Sequence, residues 1–241
     1  MDKIIINDSL KRELDDKRII IHDDFVYKKN IHSEKKMEHL NDASSKFTQG
    51  CYILAQYLLY YGDLETYIGF AMKHYKEYQT IKDLQLQKKL TFPEIIIRKL
   101  VLAIIDLKNN GFIYTDIHYR NILVNGKDIL LADMDHVIDS NNLDTKDILG
   151  SIWCLVDLII QIYFYDNLVQ DCYVFDRFMF GWNGVADSKI LTKEVEDYLI
   201  KVLNEDDSIL SYDLYEMTEL LIKEFSNQEK IREIKKMTLL P

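Results

Sequence analysis

The sequence predicts an α+β fold in which a small sheet-rich portion precedes a larger helical one. Three observations predict it. Short aliphatic and aromatic runs, separated by two-residue turn signals, fill much of the first third of the chain. Longer stretches with apolar residues at a 3.6-residue period fill the remainder. No proline-, glycine- or serine-rich linker divides the two, and the only prolines are Pro93 and Pro241. The 241 residues, 48% hydrophobic, are enough for a sizeable core in one continuous domain.

Each element follows from a local pattern. Arg18–His22 and Phe25–Lys29, parted by Asp23-Asp24, read as a hairpin, and a helical stretch is expected at about 32 to 47. Ile53–Tyr61 and Thr66–Met72, split by Gly62-Asp63, form a second strand pair. After Met72 the texture becomes helical. In Thr91-Phe92-Pro93-Glu94, Thr91 serves as N-cap, Pro93 lies early in the first turn and Glu94 completes a capping box. Apolar residues at 96, 97, 100, 101, 104, 105 and 107 carry that helix to a stop at Asn110-Gly111. Ile122–Val124 and Ile129–Ala132, joined by Asn125-Gly126, read as a tight hairpin. Further helices are expected over Asp147–Tyr165 and near 169–180, 192–204 and 212–236.

Composition excludes several function classes. A net charge of −10 and a pI near 5.1 argue against a sequence-independent hold on nucleic acid or on an anionic membrane, both of which need clustered cations. The tyrosines at 52, 57, 60, 61, 67, 75 and 78 have little basic charge among them and read as sheet and core packing. Cys51, Cys154 and Cys172 are an odd set without metal-type spacing, which fits reduced thiols and a cytoplasmic location. The apolar start at Met1–Asn7 is too short for a signal peptide, and Asp157 and Gln161 interrupt the apolar run from Ile148 to Tyr165. That run reads as a buried helix of a soluble core, with no membrane partner.

The densest chemistry lies between residues 114 and 135. Tyr114-Thr115-Asp116-Ile117-His118-Tyr119-Arg120-Asn121-Ile122-Leu123-Val124 holds an Asp and an Asn five apart, and Asp133-Met134-Asp135 begins twelve residues after Asn121. A hairpin with Asn121 at its entry and Asp133 at its exit brings both side chains to one end. This spacing resembles the catalytic loop and metal-binding motif of the protein kinase-like superfamily, which includes protein kinases and the aminoglycoside and choline kinases. The resemblance spans roughly residues 15 to 165 and is strongest between 93 and 150.

The resemblance implies a two-lobed fold: a small antiparallel-sheet N-lobe, residues 1–72, over a larger helical C-lobe, residues 73–241. It implies ATP and Mg²⁺ as cofactors. Asp116 would orient and deprotonate the attacking hydroxyl. Asn121 and Asp133 would hold metal, with Asp135 either a further metal ligand or a turn cap. Val26 and Lys28 would lie on the third strand, Val26 against adenine and Lys28 on the α- and β-phosphates. Met72, Lys73 and His74 would form the hinge that binds the adenine edge. A helical Glu would pair with Lys28; Glu34 and Glu38 are both candidates, and Glu38 is preferred. Asp147, at the start of the central buried helix, would hold the catalytic loop's backbone.

The chain also departs from that pattern. Its first forty-nine residues lack glycine, so no Gly-rich loop covers phosphates, and the backbone around Asp15-Asp16 would have to serve instead. Tyr114 stands where protein kinases usually carry His. His118 stands where Ser/Thr kinases typically carry Lys and small-molecule kinases often carry His. Eleven residues separate Asp135 from Asp147, too few for a long activation segment. The expected activity is transfer of the γ-phosphoryl of ATP to a hydroxyl, with a protein Ser/Thr the leading acceptor. A small-molecule hydroxyl is the alternative, and a pseudokinase or binding module without turnover is the alternative from another class.

Overall fold

In the computed structural model, residues 1–29, 34–64, 66–139, 144–164 and 189–238 are described, with side chains to residue 234. The expected helix near 169–180 and Cys172 lie outside them. The fold is mixed α+β, with a small antiparallel-rich sheet and a larger share of helix. The chain divides into two compact units, Met1–Tyr78 with Leu130–Asp135 and Gln79–Ile129 with His136–Pro241.

The first unit is built on a five-stranded sheet. Its strands are β1 (Asp2–Ile6), β2 (Ile19–His22), β3 (Phe25–Lys29), β4 (Ala55–Tyr61) and β5 (Tyr67–Lys73), in the order β1-β4-β5-β3-β2. Only the β1–β4 pair is parallel. The β2–β3 hairpin turns on Asp23-Asp24 as expected, with Asp23 in the left-handed region at φ 55°. Helix α1 (Asp8–Lys17) connects β1 at one edge with β2 at the other, and it covers one face of the sheet. There Leu14 packs with Ile6, Ile20, Leu59 and Ala71, and Leu10, Tyr27 and Tyr57 border them. Helix α2 (Glu34–Ala43) buries Met37 and Leu40, three apart on its inner side.

Sequence patterns did not reveal β1 or α1. The latter carries only two apolar residues, Leu10 and Leu14, in a charged decapeptide. Its signals are an Asn7 side chain that accepts from the Leu10 amide at 2.9 Å and the i,i+4 pair Lys11–Asp15 at 2.6 Å. Consequently Asp15 and Asp16 sit inside a helix, where backbone N–H groups are bonded to carbonyls four residues earlier. Their amides are not available to cover phosphate, which corrects that expectation.

The second unit is mainly helical. Helix α4 (Pro93–Asn109) follows the short β6 (Gln79–Thr80) and α3 (Ile81–Leu86), and buries Ile96, Ile97, Leu100, Val101, Ile104 and Leu107 on one face. It stops at Asn110 and Gly111, the latter at φ 84°. Its N-cap is Phe92, with no side-chain cap bond, rather than Thr91. Proline at the first helical position fixes the start one residue later than a Thr91 cap requires, so no capping box forms. After β7 (Phe112–Tyr114) comes the hairpin β8 (Ile122–Asn125) and β9 (Asp128–Leu131). Its turn residues are Gly126 and Lys127, one later than expected. Only Gly126 has a positive φ, 59°, which is the glycine-first turn pattern.

A short antiparallel pair joins β7 to β10 (Val137–Asp139), matching Tyr114 with Val137. Helix α5 (Thr145–Phe164) is long and apolar enough to cross a membrane, yet 56% of its most apolar window is buried, which is compatible with a soluble protein. Helices α6 (Lys193–Leu203), α7 (Leu214–Phe225) and α8 (Gln228–Thr238) complete the unit. The single helix expected over 212–236 is therefore two. Asn227 divides them, its side chain accepting from the amides of Glu229 (3.0 Å) and Lys230 (3.2 Å).

Candidate functional site

In the first unit, strand register sets the arrangement. Val26 lies opposite Met72 and Lys28 opposite Phe70 across β3–β5, so Val26, Lys28 and Met72 share one face. That face is opposite the one packed on α1, since Tyr27 and Ala71 alternate with these residues. Lys73 points the other way and places its Nζ 5.1 Å from the Tyr75 ring centroid. The His74 amide donates to Asp24 O at 2.7 Å, and the buried His74 Nδ1 has no hydrogen-bond partner among the described residues. Because the Asp24 carbonyl in the β2–β3 turn already takes that amide, any hinge contact from His74 must use another of its atoms.

Lys28 reaches two carboxylates more than a hundred residues away in sequence. Its Nζ lies 3.2 Å from Asp133 Oδ1 and 2.9 Å from Asp135 Oδ1. The acidic segment is held in the unit by Leu131, whose amide donates to Cys51 O at 2.8 Å and whose carbonyl accepts from the Ile53 amide at 2.9 Å. Asp133 adopts φ 54°, a left-handed conformation that a short polar side chain tolerates better than most. The two acids differ in access: the Asp133 side chain is 28% exposed and that of Asp135 3%. A cation between them offsets the mutual repulsion of adjacent carboxylates.

The helical partner expected for Lys28 is corrected here. Among the described residues its carboxylate partners are Asp133 and Asp135, not Glu38, while Glu34 pairs with Lys3 at 2.7 Å. The physical reason is satisfaction: two closer acids already neutralise Lys28. Sequence reasoning also missed Lys36. This α2 lysine donates its Nζ to the Asp135 carbonyl oxygen, and burial pulls its ammonium below the usual lysine range. Its signal was present only as a polar residue one turn before Leu40 on a half-buried helix.

In the second unit the loop after β7 forms its own network. Asn121, 6% exposed, donates Nδ2–H to Asp116 Oδ2 at 2.7 Å and to Asp116 O at 3.1 Å. With both amide hydrogens so directed, the Asn121 carbonyl oxygen is the atom left for a cation. His118 Nδ1 accepts from the Arg120 amide at 3.1 Å, which leaves Nε2 as the protonated nitrogen, 3.5 Å from Asp116 Oδ1. Asp116 is therefore bracketed by donors. His118 holds its carboxyl below the usual carboxylate range, burial opposes this, and the nearby His136 and Asn121 add to it.

Helix α5 holds this loop, though not through the expected residue. Asp147 caps the start of the helix with Asp144: each backbone N–H donates to the other's carboxylate, at 3.1 and 3.2 Å. One turn later the buried Ser151 Oγ donates to Tyr114 O at 2.9 Å, and so fixes the carbonyl two residues before Asp116. Thr115 Oγ1 donates to His136 O at 2.8 Å on the other side. Cys154 lies along the same face of α5; burial, then the fields of Asp157 and Asp116, push its thiol up to about 11. That thiol stays protonated and is no nucleophile at neutral pH.

Each unit, taken by itself, holds oxygen donors of the kind a hard cation prefers: Asp133 in the first a partly open carboxylate, with the Asp135 carboxylate turned onto Lys28, and Asn121 in the second an amide oxygen. No family model matches this chain, and no curated protein matches it in sequence.

Proposed function

We propose that this protein is an ATP- and Mg²⁺-dependent phosphotransferase of the protein kinase-like fold, moving a γ-phosphoryl group to a hydroxyl. On this reading the first unit is the nucleotide-covering lobe and the second the catalytic lobe. The observation that carries it is the ion cluster of Lys28 with Asp133 and Asp135. These are the residue types that phosphate and metal binding require, gathered from distant parts of the chain. The network around Asp116 adds support, because a carboxylate kept ionised and oriented by Asn121 is what accepting a hydroxyl proton demands.

Each group has a defined task. Lys28 neutralises charge on the phosphates of the nucleotide, and Val26 and Met72, on its face of the sheet, offer apolar contact to the base. Asp133 and Asn121 are the residues that would hold Mg²⁺, and the ion would supply charge neutralisation at the phosphoryl group. Asp116 takes the proton of the attacking hydroxyl. Asn121 aims Asp116 through its amide hydrogens, and Ser151 fixes the strand end from which the loop departs.

A protein Ser/Thr hydroxyl remains the leading acceptor. A small-molecule hydroxyl is the second reading, favoured by His118 held against Asp116 and by the short segment after Asp135. Incubation with γ-labelled ATP and a lysate decides between them: label on protein supports the first, and label only in a low-molecular-weight product the second. Thermal melting comes first. Mg²⁺·ATP should raise the melting temperature of the wild-type chain, and Asp133→Ala should remove the shift. No shift at saturating nucleotide would sink the phosphotransferase reading and leave a binding module of another kind.

A further inference from the structure

We infer that Lys36 and Asp135 form a positioning pair that orients Lys28, taking the place of a helix-borne glutamate. This rests on the phosphotransferase reading only for the purpose it assigns to Lys28; the geometry stands without it. Two contacts in the first unit and the burial of the residue they share carry the inference. Asp135 Oδ1 accepts from Lys28 at 2.9 Å, the Asp135 carbonyl accepts from Lys36 Nζ, and the Asp135 side chain is 3% exposed. One residue thus joins a strand lysine to a helix lysine, using its side chain for one and its backbone for the other.

The charges explain why a lysine of α2, and not Glu34 or Glu38 of the same helix, lies against the acidic segment. Lys28 already faces two carboxylates, Asp133 and Asp135, so a third acid from the helix would leave an excess of negative charge in a largely enclosed space. With Lys36 the cluster of Lys28, Lys36, Asp133 and Asp135 is formally neutral. The contact also divides the labour of the two acids. Asp135, gripped at both ends, is counter-ion to Lys28, while the more open Asp133 is left for the metal. Position of α2 is thereby linked to the acidic segment: a shift of the helix pulls on the Asp135 backbone and hence on the partner of Lys28.

The link can be tested without nucleotide. Each lysine of the folded chain is acylated with a small water-soluble reagent, and the rate at Lys28 is followed by mass spectrometry. Lys36→Met keeps the length of the side chain and removes the charge, and Asp135→Asn removes the charged acceptor. Both should raise the acylation rate of Lys28 several-fold, while Lys35→Met, altering the exposed neighbour, should not. Should Lys36→Met fail to fold, Lys36→Gln serves in its place. In titrations with Mg²⁺·ATP, Lys36→Met should weaken binding about tenfold, as loss of an outer supporting contact does, and Lys36→Arg should restore most of it. Unchanged Lys28 reactivity in Lys36→Met and its Gln counterpart would overturn the inference. If wild-type protein binds no nucleotide but the reactivity rises, the phosphotransferase reading falls and the positioning pair stands.

Discussion

At the scale of single residues, Asp116 is the group whose environment is most specific. Its carboxyl is lowered first by the N–H of His118, against the pull of burial, so the folded state binds the proton less readily than the unfolded chain. The sign follows: the stability it contributes is present above the unfolded value, about 4, and is lost as pH falls through the lowered folded value. Turnover should therefore hold through the neutral range, with the acid limb of kcat/KM below the usual carboxylate range. Asp116→Asn should reduce kcat by about 100-fold or more while the Mg²⁺·ATP melting shift persists; loss of both together would argue against a base role. A resemblance to the kinase-like motif, carried by spacing and the hairpin between them, singled out Asp116, Asn121 and Asp133 as candidates. That Ser151, not Asp147, holds the loop depended on which turn of α5 meets β7, which no local pattern encodes. Ser151→Ala removes one donor from the buried Tyr114 carbonyl and should cost about 1 kcal/mol, with kcat falling more than ATP affinity.

At the scale of elements, β5 and its neighbours are the sensitive part. A Cβ at Gly69 would lie 2.2 Å from Lys28 O and 3.1 Å from Lys28 C, both backbone atoms that cannot swing aside. Gly69→Ala should therefore destabilise by about 1–3 kcal/mol, measured by denaturant unfolding, and displace the strand carrying Lys28. An unaltered midpoint would mean that β3 and β5 slide apart at no cost. The hairpins were legible because two-residue turns leave strong local marks. Conversely, β1 and α1 were not: β1 pairs in parallel with β4, more than fifty residues away, and the burial of α1 rests on only two leucines. The split at Asn227 escaped notice because apolar periodicity continues on both sides of the break.

At the scale of the whole molecule, the apolar helix α5 and the proposed nucleotide binding make separate predictions. Just over half of the most apolar window of α5 is buried, and Asp157 and Gln161 are buried on it, with Gln161 Nε2 donating to Asp157 Oδ2 at 2.6 Å. High-speed centrifugation of expressed protein should leave it in the supernatant without detergent; recovery only in the membrane pellet would contradict this packing. Ligand linkage supplies the companion test. At Mg²⁺·ATP about 100 times its dissociation constant, stability should rise by about 2.7 kcal/mol, and chelation of the metal should reverse most of it.

The sequence by itself determined the passage from a sheet-rich first third to a helical remainder, the β2–β3 and β8–β9 hairpins, and an Asp-Asn-Asp constellation whose spacing resembles that of phosphoryl-transfer sites. These are local properties, written in turn residues, periodicity and short separations. Only the tertiary structure decided the partners: Lys28 with Asp133 and Asp135 instead of Glu38, Lys36 on the Asp135 backbone, and Ser151 on the Tyr114 carbonyl. Such pairings join residues 37 to 107 positions apart. What selects among equally charged candidates at those separations is desolvation and strand register, and both exist only once the sheet and helices have packed.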